Sequence, residues 1–244
     1  MEEVVAAGGN HFTMVKFSSR SNPDYTKALD SLNRFEREAK AAVERHFCSG
    51  RYNEAEDLVR RSAQIRVDFL GQEHPDTLRS RTNLASTYYN QGRWKEAEEL
   101  ELKVMETGKG VLGWGHPDLL VSMANLASTY RNQGRWGEAE ELEVKVVGTS
   151  KEVLGQDHPN TLASMSNLAS TYRNQGRWKE AEELFVRVVE TRKGVLGQGH
   201  PGTLVSMASL AATYWKQGRW KEAEELEVKV METRKGVFGL TRAG

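Results

Sequence analysis

The sequence predicts an all-α fold, a solenoid of about five helix-turn-helix repeats, from a fixed period and from helical patterning within it. The string NLASTYRNQGRW occupies residues 125–136 and again residues 167–178, and residues 83–94 repeat it with one change. A Gly-Arg-aromatic triplet begins at five positions spaced by 42 residues: Gly50, Gly92, Gly134, Gly176 and Gly218. Such a period is typical of an array in which each unit packs mainly on its neighbours.

The first helix of each repeat is predicted from its flanking residues and its apolar spacing. In residues 74–113, Pro75 suits the first helical position, and Asp76 places an acid in the first turn, which favours the helix dipole. Apolar residues at helical spacing follow, at Leu78, Leu84, Ala85 and Tyr88. The helix should end near Asn90, because Gly92 can adopt the positive φ that a helix exit often needs.

The second helix of the repeat begins at Trp94. Its apolar side consists of Ala97, Leu100, Val104 and Met105, and the EAEEL charge run is interpreted as a solvated outer face. Ala85 and Ala97 recur in every following repeat, so the two helices are expected to cross closely as an αα-hairpin. One hairpin cannot bury both of its apolar faces, so stacking of hairpins must complete the core.

The chain divides into four predicted segments. Residues 1–24 are predicted to be a flexible N-terminal arm, in which residues 11–17 form a short strand or a docking segment. Residues 25–70 are predicted as a diverged capping repeat with a first helix over residues 27–48, residues 71–239 as four tandem repeats, and residues 240–244 as a tail. No extra polar helix follows the last repeat, so this end is expected to be the edge of a larger protein or a self-association surface.

Composition argues against several classes of partner. Lys plus Arg and Asp plus Glu both total 34, so no net charge favours nucleic acid or a membrane surface. No apolar run approaches the ~20 residues of a membrane helix. The single cysteine, Cys48, fits a reducing compartment, and the acidic N-terminus does not resemble a secretory signal. The chain is therefore expected to be cytoplasmic.

Catalytic, cofactor and metal signatures are absent from the sequence. It contains no phosphate-binding loop, dinucleotide fingerprint, HExxH or CxxC motif, so we expect no enzyme activity, no cofactor and no metal. The histidines of the four His-Pro pairs are interpreted as residues that hold each helix start, because repeats ~10 Å apart cannot share one ion. The tryptophans at the Gly-Arg turns are interpreted as packing residues, whereas Trp114 and Trp215 break the period and are better suited to a partner.

The motifs LGxxHPxTL and NLAxxYxxQGxxxEAE closely resemble the 42-residue tetratricopeptide repeats of kinesin light chain, a form also found in tails of fungal NTPase-linked immune receptors. The resemblance covers residues 50–239, with departures at Gly202 and Ser209. It implies a right-handed α-solenoid and a protein-interaction scaffold, with a concave groove lined by the first helix of each repeat.

Aligning Ala85 with the eighth position of the family repeat assigns the groove residues. They are Arg79, Asn83, Ser86, Tyr89, Asn90, Asn125, Ser128, Arg131, Asn132, Asn167, Ser170, Arg173, Asn174, Trp215 and Lys216. The amides can donate to and accept from the backbone of a peptide, and the arginines suit carboxylates. The alternative is that the asparagines bridge adjacent repeats and contact no ligand.

Three functional hypotheses follow. The first is a non-catalytic scaffold that binds an extended or short helical, acidic peptide segment of a protein partner in the groove, with no nucleic acid and no membrane involved. The second is a sensor or assembly module, a homo-oligomer that self-associates through the C-terminal repeat. The third is a small-molecule-binding or catalytic solenoid whose groove serves as the pocket.

Overall fold

Helix hairpins follow one another along the chain. The computed structural model describes residues 5–6, 13–14, 30, 34, 37 and 52–240. Within these ranges lie nine bounded α-helices: α1 (Tyr52–Leu70), α2 (Pro75–Asn90), α3 (Trp94–Val111), α4 (Pro117–Asn132), α5 (Trp136–Leu154), α6 (Pro159–Asn174), α7 (Trp178–Leu196), α8 (Pro201–Lys216) and α9 (Trp220–Leu240). The predicted all-α class of helix-turn-helix repeats is confirmed.

The predictions for the N-terminal segment fall mostly outside the described residues. Two short strands are described there, β1 (Val5–Ala6) and β2 (Thr13–Met14), and they pair antiparallel. Residues 30, 34 and 37 are helical. The rest of the arm, most of the helix predicted over residues 27–48, Cys48 and residues 241–244 lie outside the described part of the chain.

The chain forms two compact units, Met1–Ser122 and Met123–Gly244, so the boundary falls within α4. In the first unit, α1 packs on α2 and α2 packs on α3. In the second unit, each helix from α5 to α9 packs on the next one along the chain. This order is the nearest-neighbour packing that a repeat array requires.

Histidine caps the start of each first helix. In α6, the backbone of His158 is extended, and its Nδ1 accepts the backbone N–H of Asn160 at 3.2 Å. His74, His116 and His200 accept the equivalent N–H at 3.2, 3.2 and 3.1 Å. An N-cap side chain satisfies one of the N–H groups that a helix start leaves unpaired. The structural role predicted for these histidines is confirmed.

Glycine permits the tight exit from each first helix. Helix α6 ends at Asn174, and Gly176 takes a φ of 81°, a value that side chains disfavour. The N–H of Arg177 then donates to the carbonyl of Tyr172 at 2.9 Å, which closes a Schellman-type turn. The turn places Trp178 at the first position of α7, as the sequence predicts.

Small residues bring the paired helices of the second unit close together. Ala169 and Ala181 are fully buried, and they lie in one core cluster with Phe185, Met207 and Val230. Burying a Val, Met or Phe side chain contributes about 1.5–3 kcal/mol before its entropy cost. The core therefore runs through consecutive hairpins and is not confined to one of them.

A polar network joins consecutive hairpins at their turns. We call it the turn edge: the Gln and Arg of the Gln-Gly-Arg-Trp turns at residues 91–94, 175–178 and 217–220, together with the glutamate that each pair contacts in the preceding hairpin. In the second unit, Glu140 accepts Arg177 Nη1 at 2.6 Å and Gln175 Nε2 at 2.8 Å. Glu182 accepts Arg219 Nη1 at 2.7 Å and Gln217 Nε2 at 2.8 Å. In the first unit, Glu56 receives Arg93 and Gln91 in the same way.

The turn edge corrects two interpretations of the sequence. Glu140 and Glu182 belong to the EAEEL runs, which therefore bind the next hairpin as well as solvent. The turn tryptophans are also less buried than a packing role requires, since Trp178 and Trp220 are 40% and 55% exposed. The arginine supplies the packing instead: Arg177 stacks 4.1 Å from the ring centre of Tyr172.

Candidate functional site

The predicted groove residues lie on the solvent-accessible side of the first helices, which we call the first-helix face. In the second unit it is formed by α4, α6 and α8. Its members are partly buried or exposed, whereas the opposite sides of the same helices are buried. The predicted members there are Asn125, Ser128, Arg131, Asn132, Asn167, Ser170, Arg173, Asn174, Trp215 and Lys216.

The first unit carries the equivalent stripe on α2. Arg79, Asn83 and Asn90 are exposed, whereas Ser86 and Tyr89 are partly buried. Arg79 is held by Asp76, with 2.7 Å between Nη2 and Oδ1. Its charge is therefore partly neutralised within its own helix.

The asparagines of the second unit form two layers on the first-helix face. Asn125 and Asn167 are partly buried one period apart, and Asn132 and Asn174 are exposed at the ends of α4 and α6. The backbone carbonyl of Asn167 accepts Arg131 Nη1 at 3.1 Å. The backbone of Asn167 thus takes part in joining α4 to α6, and both asparagines are partly exposed.

Arg131 is held by three groups of its own chain. Besides the Asn167 carbonyl, it donates from Nη2 to Ser128 Oγ at 2.8 Å, and its Nη1 lies 3.5 Å from Glu143 Oε1. Glu143 is buried, and its Oε2 accepts the Thr171 hydroxyl at 2.6 Å. Burial raises the pKa of Glu143, although the charge of Arg131 and the Thr171 hydrogen bond act in the opposite direction.

Arg173 occupies the same position one repeat later in a different environment. Its Nη1 donates to the carbonyl of Ser209 at 3.2 Å, and its guanidinium lies 5.7 Å from the ring centre of Phe185. Phe185 stands where the preceding hairpin has Glu143. Burial, together with the nearby charge of Arg131, lowers the pKa of Arg173.

The arginines are therefore structural as well as accessible, a dual role that sequence reasoning missed. Each one bonds a carbonyl 36 residues later in the chain, so it links consecutive first helices. The recurrence of arginine at positions 131 and 173, one period apart, was the available signal in the sequence. The accepting partner could not be read from the sequence, because a residue of any type can offer a backbone carbonyl.

An aromatic pair ends the face on α8. Trp215 is 56% exposed and meets Trp220 edge to face, with ring centres 4.4 Å apart. Lys216 beside it is exposed. Trp114, the other tryptophan outside the period, is 50% exposed and follows α3 in the first unit, where Lys109 Nζ is 4.7 Å from its ring centre.

The described residues also form a cavity at the turn edge, but no cluster of metal ligands. No group of three or more metal-ligating side chains occurs among them. A cavity of about 610 Å³ lies at the turn edge, lined by residues 176–180, Glu182, Gln217 and Arg219, but both of its arginines are already ion-paired. None of the helices in the described ranges is both long enough and apolar enough to span a bilayer.

Comparison with sequence families identifies the tetratricopeptide repeat. The tetratricopeptide repeat profile matches residues 39–110, 83–152, 118–193 and 160–235, which together extend over most of the chain. No curated protein matches the chain.

Comparison with solved structures supports the same architecture. A putative kinesin light chain from Podosopora anserina with nearly identical TPR-like repeats is 33% identical, with 82% of this chain and 95% of that chain covered and a TM-score of 0.71. BtubC (BKLC) from P. vanneervenii is 18% identical, with 89% and 94% covered and a TM-score of 0.70. A Rap protein complexed with Competence and Sporulation Factor is 12% identical, with 79% and 52% covered and a TM-score of 0.66.

Proposed function

Because the chain belongs to the tetratricopeptide repeat family, in its 42-residue kinesin light chain-like form, we propose that it is a non-catalytic cytoplasmic scaffold for a protein partner. The first-helix face is the proposed binding surface. Its occupant is an extended or short helical segment that carries acidic residues.

One observation carries the proposal: amides and arginines recur at the same positions of α4 and α6, on the accessible side of both helices. An amide both donates and accepts, so Asn125 and Asn167 can pair with the backbone of a peptide. The small side chains Ser128 and Ser170 leave space between them. The Rap protein solved with Competence and Sporulation Factor gives a precedent for ligand binding by this kind of fold.

Charge favours an acidic occupant. Arg131, Arg173 and Lys216 stand on the face of the second unit, and Glu143, the acid beside Arg131, is buried beneath it. Carboxylates are the natural partners of guanidinium groups, because they accept two parallel hydrogen bonds. We expect the affinity for such a peptide to fall as salt is added, since exposed charges are screened.

The proposal is tested by selecting binders from a display library of random 15-residue peptides and measuring the best one by fluorescence anisotropy. We expect enrichment in Asp and Glu. We expect the double variant Asn125→Ala, Asn167→Ala to bind about tenfold more weakly or worse, a loss typical of removed hydrogen bonds, while its helicity and unfolding midpoint are retained.

The control removes two exposed amides elsewhere, Gln156→Ala with Gln198→Ala, in the loops before α6 and α8. It should bind like the wild type. The proposal is wrong if no peptide is selected, or if the asparagine variant and the glutamine control bind equally well.

A second candidate function, self-association through α9, is favoured by apolar surface of this helix that is exposed among the described residues. Met231 is 54% exposed, whereas its counterparts in the two preceding hairpins, Val189 and Val147, are 3% and 6% exposed because the next first helix covers them. Glu224, the counterpart of Glu140 and Glu182, is exposed on the same helix.

Light scattering over a wide concentration range tests the second candidate. The molar mass should rise with concentration in the wild type and stay at one chain in Met231→Lys. Val195→Lys, at a valine of α7 that is 60% exposed, is the control and should behave like the wild type. A wild-type protein that stays monomeric at the highest concentration would rule this function out.

A further inference from the structure

Two hairpins of the second unit share the same sequence motif but differ in the second-helix residue that faces its arginine. The string NLASTYRNQGRW is identical in the two, so Arg131 and Arg173 have the same neighbours in sequence. The residue that faces them from the second helix is Glu143 in the α4–α5 hairpin and Phe185 in the α6–α7 hairpin. Both of these side chains are buried.

The substitution changes the charge balance of the two arginines. Arg131 has a carboxylate of its own chain 3.5 Å away. Arg173 has the Phe185 ring and the Ser209 carbonyl, and within the described part of the chain it makes no ion pair with an acid. A partly buried guanidinium without a carboxylate bears a desolvation cost that an anion placed against it would relieve.

We propose that Arg173 is the carboxylate-recognition point of the first-helix face, where an acidic side chain of the peptide takes the place that Glu143 occupies beside Arg131. The inference rests on the proposed function and sets the register of the peptide along the face. It assigns the acidic residue of the ligand to α6, with Arg131 serving mainly to join α4 to α6.

The charges around this point favour an anion. The charge of Arg131 contributes to lowering the pKa of Arg173, so this part of the face holds two guanidinium groups and one buried carboxyl, which lies beside the first of them. An incoming carboxylate would therefore meet a positive site.

The chain offers a built-in test, because the two arrangements can be exchanged. Phe185→Glu gives Arg173 an internal carboxylate. A threonine also stands at the equivalent position, since Thr213 lies one period after Thr171, the residue that donates to Glu143; its hydroxyl donates to the Ser209 carbonyl and would have to turn to hold the new carboxylate. Glu143→Phe makes the reverse exchange and leaves Arg131 without its acid.

The probe is a fluorescein-labelled hexaglutamate peptide with a blocked C-terminus, and the matching hexaglutamine peptide is the uncharged control, both measured by anisotropy at low salt. We expect Arg173→Gln to weaken hexaglutamate binding about tenfold or more, and Arg131→Gln to weaken it less. Phe185→Glu should lower the affinity as Arg173→Gln does, and Glu143→Phe should raise it. Helicity and unfolding midpoints are measured for every variant. If Phe185→Glu does not fold, the comparison of Arg173→Gln with Arg131→Gln tests the assignment.

Equal losses from Arg173→Gln and Arg131→Gln would overturn the assignment, as would a folded Phe185→Glu that binds like the wild type. Absence of hexaglutamate binding by the wild type would overturn it too. The same variants are then measured with the library-selected peptide. If that peptide responds to Asn125→Ala, Asn167→Ala but not to Arg173→Gln, the groove function stands and only the carboxylate subsite fails.

Discussion

The turn edge and the first-helix face of the second unit follow opposite rules. At the turn edge, Arg177 and Arg219 make the same contacts one period apart, each with a glutamate of the preceding hairpin, a glutamate of its own hairpin and a tyrosine ring. On the face, the equivalent positions hold arginine at 131 and 173 and tryptophan at 215.

The difference separates two tasks within one repeat. A residue that recurs together with all its contacts is required for stacking one hairpin on the next. A surface position that differs between otherwise similar hairpins is not required for stacking, and it lets each hairpin present a different side chain to a ligand. Changes at the turn edge should therefore cost stability, and changes at exposed face positions should cost affinity.

The largest expected loss of stability is at the turn edge. Arg177→Ala removes the hydrogen bonds to Glu140 and Glu180 and the stacking on Tyr172. We expect the free energy of unfolding to fall more than for the other variants described below, although the partial exposure of the ion pairs reduces the loss. Urea denaturation measures it. The neighbouring exposed Lys179→Ala is the control, and an equal loss in both would contradict a special role for the turn arginine.

The sequence predicts the fold well because the period and the helix ends are local signals. Pro75 at a helix start and Gly92 after a helix end are placed as expected. The turn edge was missed because Arg177 and Glu140 lie 37 residues apart, and only the stacking of hairpins brings them together. The same holds for Arg131 and the Asn167 carbonyl.

The candidate site was predictable only as a set of positions. The stripe of amides and arginines follows from the alignment of the repeats, and in the structure its members are exposed or partly buried. The unequal surroundings of Arg131 and Arg173 depend on residues 143 and 185, in the second helix of each hairpin. The spacing of the sequence does not indicate that those residues face the arginines, so the difference between the two arginines is seen only in the structure.

A smaller effect is expected at the helix caps, which every hairpin shares. His158→Ala removes the acceptor for the Asn160 N–H at the start of α6. We expect a loss of about 1 kcal/mol in the free energy of unfolding. His158→Ser supplies another cap acceptor and should recover most of it. Equal destabilisation by alanine and serine would show that the imidazole acts by packing and not as a cap.

Replacement of Glu143, the buried acid beneath the first-helix face, should change the free energy of unfolding in a pH-dependent way. The pKa of Glu143 is raised by burial, so its protonated form is favoured in the folded chain. Such a group stabilises the fold fully below its unfolded pKa, about 4.3 for Glu, and loses that contribution as the pH rises through the folded value. Glu143→Gln does not titrate there, so its stability relative to the wild type should increase from acid to neutral pH.

Urea denaturation of both proteins at a series of pH values checks this expectation. The exposed neighbour Glu141→Gln is the matched control, and its difference from the wild type should change less over the same range. A relative stability of Glu143→Gln that falls with rising pH would contradict this expectation, because it would mean that the charge of Arg131 outweighs burial in setting the pKa of Glu143.

The smallest effect on stability is expected at an exposed position of the face itself. Asn174→Ala changes the last residue of α6, which is exposed and packs against no core cluster. We expect the free energy of unfolding to change by no more than about 0.5 kcal/mol. The affinity for a library-selected peptide should nevertheless fall, because the amide stands beside Arg173 in sequence. A variant that loses stability and keeps its affinity would place Asn174 with the stacking residues and remove it from the binding surface.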